Sequence, residues 1–155
     1  MEVNGFYKKL NDLKSVCIDS SVLIYHLETI KPYDILTKAL IEKIAKGEIF
    51  CNISALTITE LLAKPYRLKD HNQISVFEGF ISSLPNTKIV PVDYNIAKFA
   101  ASLRCDYNLR TPDSIILSTA LITCSEAFIT NDIFLKKLNI KDIKILILDD
   151  TCNFV

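Results

Sequence analysis

The chain has 155 residues, half of them hydrophobic, with 18 basic and 18 acidic side chains. This length suits one domain with a substantial core, and the balanced charge excludes a global field that would draw the protein onto nucleic acid or an anionic membrane. The apolar stretches are too short to cross a membrane and the first residues lack a signal peptide's apolar segment, so the sequence predicts a cytoplasmic protein with no membrane partner.

Cysteine and histidine usage narrows the chemistry further. The five cysteines are scattered without a Cys-x-x-Cys pair, and the two histidines are His26 and His71. An odd, scattered set of cysteines argues against a disulfide framework and against a zinc site. Two histidines give little support to a histidine-rich metal site or to a Ser-His-Asp triad.

Hydrophobic periodicity predicts strands that alternate with helices along the chain. An amphipathic helix at residues 4–14 precedes the first strand at 16–19, which divides the chain into an N-terminal helical extension, 1–14, and one domain, 15–150. The other predicted strands are short apolar runs at 49–53, 88–92, 127–130 and 143–148. This alternation is typical of an α/β fold, a central parallel sheet with helices on both faces.

Polar residues stand where the predicted helices begin. Ser20 or Ser21 is expected to cap the helix after the first strand, and Ser54 and Asp93 are expected to cap two later ones. Thr111 and Pro112 have the residue types of an N-cap and a first-turn proline. Asp113 then falls in a first turn, where a carboxylate gains about 0.3–1 kcal/mol from the helix dipole.

Four acidic residues occupy comparable places in this pattern. Asp19 ends the first strand and Asp132 follows the fourth, while Asp113 opens a helix and Glu60 lies inside one, between hydrophobic neighbours. Each alone has a simpler role, as a helix cap, a turn former or a solvated helix residue. Because the carboxyl ends of parallel strands share one edge of the sheet, their common location predicts a single acidic cluster.

The segments that hold these acids resemble those of the PIN-domain ribonucleases, in particular the small toxins of the VapC type. The matching segments are Ile18-Asp19-Ser20-Ser21-Val22-Leu23-Ile24, Thr59-Glu60-Leu61-Leu62, Pro112-Asp113-Ser114-Ile115-Ile116-Leu117-Ser118-Thr119-Ala120 and Ile129-Thr130-Asn131-Asp132. The resemblance spans residues 16–148. It implies a PIN-like domain that cleaves RNA with a divalent metal, with the four acids as the catalytic and metal-binding quartet.

The resemblance also implies a cofactor, secondary site residues and partners. A ring of carboxylates without histidine or cysteine suits Mg²⁺ or Mn²⁺. Ser21 fills a slot where the family often has asparagine or serine, and Thr130 and Asn131 lie beside the acids as secondary groups. The implied partners are RNA, a small antitoxin and a second copy of the chain in a homodimer, which makes the protein the toxin of a toxin–antitoxin pair.

Cationic and aromatic residues flank the acids in the sequence. Arg110 precedes Asp113, and Lys136 and Lys137 follow Asp132. These three are predicted to contact RNA, the alternative being that they are solvated surface residues. Tyr66 and Tyr107 are candidates for stacking on unpaired bases, the alternative being that they are amphipathic surface residues.

Two other interpretations remain open at this point. A phosphotransfer domain would use Asp19 as a covalent phosphate acceptor, although Ser21 stands where the dehalogenase pattern needs a second aspartate, and the acidic pair of receiver domains is missing. A catalytically idle PIN-like module would bind protein or RNA without cleaving it. The presence of all four acids argues against the idle module.

Overall fold

The computed structural model describes residues 3–151, which form one five-stranded sheet and seven α-helices. The strands are β1 (Ser15–Ile18), β2 (Phe50–Ser54), β3 (Thr87–Val90), β4 (Ala127–Thr130) and β5 (Lys144–Ile147). The helices are α1 (Val3–Asn11), α2 (Ser20–Leu27), α3 (Asp34–Ala45), α4 (Ala55–Arg67), α5 (His71–Ser83), α6 (Tyr94–Tyr107) and α7 (Thr111–Ile122). Two short 3₁₀ helices cover Ile133–Lys137 and Asp149–Thr151.

The sheet order is β3-β2-β1-β4-β5, and every neighbouring pair is parallel. The chain moves outward from β1 through β2 to β3, then returns to the other side of β1 as β4. In such a sheet a crevice opens at the carboxyl ends of the two strands where the direction reverses, here β1 and β4. The predicted α/β fold with a parallel sheet is confirmed.

Alternating side chains of the strands supply two separate hydrophobic cores. Val16 and Ile18 of β1 pack with residues of α1 to α5. Cys17, between them, packs with Phe128 of β4 and with Leu117 of α7. Since successive strand residues point to opposite faces, the sheet is covered on both sides, with α6 and α7 on the second face.

The N-terminal helix is part of the first core. Phe6 and Leu10 are fully buried and belong to the same cluster as Leu40 of α3. Residues 1 and 2 of the predicted 1–14 extension lie outside the described residues. Burial of two large apolar side chains makes α1 a stabilising element of the domain, by about 1.5–3 kcal/mol for each side chain.

Helix caps place the loops at the carboxyl edge. Ser54 and Asp93 cap α4 and α6 as predicted, their side chains accepting from the N–H groups of Leu56 and Ile96. The cap of α2 differs from the prediction: Asp19 itself, and not a serine, accepts from the next N–H. The start of α7 is also one residue earlier than predicted, because Arg110 already has the extended backbone of an N-cap residue and Thr111 is helical.

None of the helices between Val3 and Thr151 has the length and apolar character needed to cross a lipid bilayer.

Candidate active site

Four carboxylates converge on the carboxyl edge from four different elements. Asp19 directly follows β1, and its backbone N–H donates to the carbonyl of Ile129 on β4, 3.0 Å away. Asp132 comes two residues after β4, so these two acids stand on either side of the point where the sheet order reverses. Glu60 comes from the second turn of α4, and Asp113 from the first turn of α7.

Asp19 and Glu60 form an inner pair joined by a serine. The Ser20 hydroxyl donates to Glu60 Oε2 at 2.7 Å and lies 3.3 Å from Asp19 Oδ1. The Ser20 N–H also donates to Asp19 Oδ1 at 2.7 Å. Ser20, which the sequence places beside Asp19 as a candidate for hydrogen bonds to the acids, therefore holds two carboxylates that are 41 residues apart in sequence.

Thr130 links the inner pair to the loop that carries Asp132. Its hydroxyl donates to Asp19 Oδ2 at 2.8 Å and accepts from the N–H of Asp132 at 3.1 Å. The side chain is fully buried, so both bonds are shielded from water. Thr130 thus lies among the acids, as expected for a secondary site residue.

Asp113 and Asp132 form an outer pair bound by one guanidinium group. Arg110 Nε donates to Asp113 Oδ2 at 2.8 Å, and a terminal nitrogen lies 3.4 Å from Asp132 Oδ2. The Arg110 side chain is 75% exposed, whereas those of Asp113 and Asp132 are 18% and 21% exposed. Arg110, predicted from the sequence to bind RNA, is thus paired with two of the four acids.

The inner pair has no ion-pairing partner among residues 3–151. Burial raises the pKa of Asp19, opposed by the hydrogen bonds from Thr130 and Ser20. Burial also raises the pKa of Glu60, and the charges of Asp19 and Asp113 add to this rise, whereas the hydrogen bond from Ser20 and the charge of Arg110 oppose it. A cation added beside these two carboxylates would therefore be favoured.

The donor types fit a hard divalent ion, although the side chains do not surround one as they stand. Within residues 3–151, no three Asp, Glu, His or Cys side chains are grouped so that they could hold an ion. The outer pair is instead engaged by Arg110. Carboxylate and hydroxyl oxygens are the ligands that Mg²⁺ and Mn²⁺ prefer, and the site offers these in abundance.

Ser21 and Asn131 fasten the surrounding loops to one another. The Ser21 hydroxyl accepts from the N–H of Asn131 at 3.2 Å. The Asn131 side chain donates to the Tyr25 hydroxyl at 3.2 Å and accepts from the N–H of Asp149 at 2.8 Å. Their polar atoms thus hold the loop after β4 against α2 and the C-terminal turn. Tyr25 and Asp149 were not predicted, because they lie far away in sequence.

The two lysines predicted to contact RNA differ in their surroundings. Lys136 pairs with Asp150 at 2.6 Å, and both side chains are exposed. Lys137 is also exposed, and forms no ion pair among residues 3–151. An exposed pair of this kind contributes little to the stability of the fold.

Asp19→Asn is expected to raise the melting temperature of the metal-free protein at neutral pH. The raised pKa of Asp19 means that the folded state binds its proton more tightly than the unfolded chain does. Ionisation of Asp19 therefore destabilises the folded state. This loss of stability is absent below the ordinary aspartate pKa, and it develops fully as the pH rises through the higher pKa of the folded state. For a domain of this size, each kcal/mol removed raises the melting temperature by about 2–4 °C.

Melts of both proteins in EDTA, from acidic to neutral pH, measure this difference. The advantage of the variant should grow with pH. Asp93→Asn exchanges a helix cap for an equally good one, so its difference from wild type should stay flat. An advantage of Asp19→Asn that does not change with pH would contradict the expectation.

A parallel sheet of this order, with four carboxylates gathered at its reversal point, defines an α/β protein whose ligand site is acidic. The chain belongs to the PIN domain family, whose model matches residues 16–141. The matched region includes all four acids. The family assignment predicted from the sequence is thereby confirmed.

Solved structures share the fold. VapBC2 from Rickettsia felis, bound to a promoter DNA fragment, matches with a TM-score of 0.65 and 18% identity, covering 84% of this chain and 96% of that chain. A toxin–antitoxin complex from Klebsiella pneumoniae matches with a TM-score of 0.63 and 25% identity, covering 83% and 94%. FitAcB from Neisseria gonorrhoeae has a TM-score of 0.64 and 20% identity, covering 86% and 97%. No curated protein matches the chain in sequence.

Proposed function

We propose that the protein is a metal-dependent endoribonuclease, and that it is the toxin of a toxin–antitoxin pair. The catalytic carboxylates are Asp19, Glu60, Asp113 and Asp132, and the cofactor is Mg²⁺ or Mn²⁺. The observation that carries the proposal is the convergence of these acids at the reversal point of the sheet, with the inner pair partly buried and without an ion pair among residues 3–151. Membership of the PIN domain family supports it.

The chain's own residues prepare this chemistry. A divalent ion at the four acids would neutralise charge on the phosphoryl oxygens and make water a better nucleophile near neutral pH. Ser20 and Thr130 fix the carboxylate of Asp19 through both of its oxygens, which limits reorganisation when charge develops. Arg110, released from the outer pair, is placed to bind a phosphate in its planar fork of donors.

The two other interpretations of the sequence fit these contacts less well. Both oxygens of Asp19 accept hydrogen bonds from the protein, which makes the carboxylate a weaker nucleophile for covalent phosphotransfer. An idle binding module would have no use for an inner pair whose ionisation is opposed by burial. Both features suit carboxylates that hold a cation.

The partners follow from the same proposal. Two of these structural neighbours are a VapBC complex and a toxin–antitoxin complex, so we propose a small antitoxin, encoded beside this gene, as the protein partner. We also propose a homodimer, and a cytoplasmic location where RNA is available. Co-purification with the product of the adjacent gene tests the antitoxin partner.

Purified protein is expected to cleave single-stranded or structured RNA internally in Mg²⁺ or Mn²⁺, and to lose this activity completely in EDTA. Excess Mn²⁺ added after EDTA should restore it. Gel analysis of end-labelled RNA measures both steps. Cleavage that persists in EDTA would exclude the mechanism, and binding without cleavage in either metal would favour the idle module.

A further inference from the structure

Phe134 is the most exposed large hydrophobic side chain in the described part of the chain, with 79% of its surface accessible. It has no hydroxyl group that would favour contact with water. Such exposure leaves the ring with little of the stabilisation that burial in the core would give. The ring is therefore free to contact a ligand.

The chain ties Phe134 to the acidic site. Its N–H donates to Asp132 Oδ1 at 3.0 Å, so one of the four acids caps the 3₁₀ helix that carries the ring. The next residue, Leu135, is buried in the second core and anchors this helix. The anchored backbone thus holds the ring in solvent two residues after Asp132, with Ile133 between them.

Phe134 borders an open cleft of about 380 Å³ that reaches Asp113 of the outer pair. Its apolar lining includes Tyr107 and Leu138, which pack against the second core. Its polar lining includes Arg110 and Asp113. A volume of this size lies within the range of about 300–1,000 Å³ that is usual for small-ligand sites.

The combination of groups matches a nucleobase. The phenyl ring offers a flat face for stacking, and the guanidinium of Arg110 provides a second planar surface with edge donors. The phosphate that reaches the acids is joined to its base through one ribose, so the base lies within reach of a cleft that shares Asp113 with those acids.

A second groove on the molecule shows the contrast. It measures about 290 Å³ and is lined mainly by aliphatic side chains such as Leu61 and Ile81, and its charged lining residue is Glu78. The carboxylate of Glu78 repels RNA, whereas in the cleft beside Phe134 the guanidinium of Arg110 offsets the carboxylate of Asp113. The charge therefore favours RNA at the Phe134 cleft.

We propose that this cleft is a nucleobase subsite, in which one unpaired base stacks on Phe134 beside Arg110. The inference rests on the proposed function and deepens it: the substrate strand must be unpaired at this position. Tyr107, one of the two tyrosines that the sequence suggested for stacking, is half-buried in the wall of the cleft. Phe134 presents the free ring.

Fluorescence anisotropy with a labelled single-stranded oligoribonucleotide, in EDTA, tests the subsite without cleavage. Phe134→Leu keeps the apolar character but removes the aromatic face, and should weaken binding by about 5- to 100-fold. Phe134→Tyr should bind within about twofold of wild type, since it keeps the ring. Because the side chain is exposed, these variants should fold as wild type does, which melts can verify.

Tyr94→Leu is the matched control. Tyr94 is 77% exposed and begins α6, whose last residue is Tyr107, so it lies about 20 Å along the helix from the cleft. This variant should bind like wild type. An abasic oligomer of equal length should bind wild type and Phe134→Leu alike, because it has no base to stack.

Several outcomes would overturn the subsite. One is that wild type and Phe134→Leu bind the base-containing RNA equally well. Another is that Phe134→Leu weakens binding of abasic RNA by the same factor, and a third is that wild type does not bind RNA. A wild-type dimer that Phe134→Leu converts to monomer, with RNA binding unchanged, would assign the ring to a protein interface instead.

Metal-dependent cleavage by wild type is scored separately. If wild type cleaves RNA but Phe134→Leu does not change RNA binding, only the subsite is excluded. If Phe134→Leu weakens binding but wild type does not cleave RNA, only the nuclease function is excluded.

Discussion

Asp113→Asn is expected to lower the rate of metal-dependent RNA cleavage by about 10²–10³-fold, the size of loss seen when one preorganised electrostatic group is removed. Asparagine keeps the shape of the side chain and can still accept from Arg110, which lies 2.8 Å away. The negative charge that we propose to hold the metal is lost. Initial rates on a single RNA substrate at saturating Mn²⁺ measure the effect.

Asp93→Asn is the matched control for this substitution. Asp93 also precedes a helix, and its side chain accepts from the N–H of Ile96, but it caps the start of α6, whereas Asp113 lies in the first turn of α7. Its rate should equal that of wild type. Unchanged circular dichroism of Asp113→Asn would show that the loss is local, whereas wild-type activity in this variant would remove Asp113 from the site.

Millimolar Mn²⁺ is expected to stabilise the wild-type protein, and to stabilise Arg110→Gln more strongly at concentrations below saturation. An ion that binds only the folded state adds about 2.7 kcal/mol at 100 times its dissociation constant, or about 5–11 °C in melting temperature for a domain of this size. Arg110 binds the outer pair in the absence of metal and therefore competes with the ion. Its removal frees both carboxylates.

Thermal melts over a range of Mn²⁺ concentrations measure these shifts. Without metal, Arg110→Gln should change the melting temperature little, since an exposed ion pair contributes about 0–1 kcal/mol. Asp113→Asn and Asp19→Asn should each lose most of the Mn²⁺ shift, and Asp93→Asn should keep it. Equal shifts in all four variants and wild type would mean that the acids do not form one metal site.

The sequence predicted those features that depend on neighbouring residues. The strand at 127–130 was placed correctly because an apolar run bounded by polar residues leaves little choice. The caps at Ser54 and Asp93 were placed correctly because a cap contacts backbone only two or three residues away. Asp19 and Asp132 were assigned to one edge because both follow parallel strands.

The tertiary structure decided how the acids are divided. The sequence predicted four carboxylates in one cluster, with Arg110 on its flank. Ser20 is hydrogen-bonded to Glu60, 40 residues away, and Arg110 to Asp132, 22 residues away. Both contacts depend on where α4, α7 and β4 meet. Local pattern contains no information about such contacts, because they arise from the sheet order.

The same reason explains why Phe134 was not singled out. In sequence it is one apolar residue among several after Asp132, and no local signal distinguishes it from Ile133 or Leu135. The sequence determined the fold, the family and the location of the acids, because short-range burial patterns and caps specify these. Only the packing of distant elements buried Leu135, exposed Phe134 and placed Arg110 between two carboxylates, because the surroundings of a side chain depend on which elements become its neighbours.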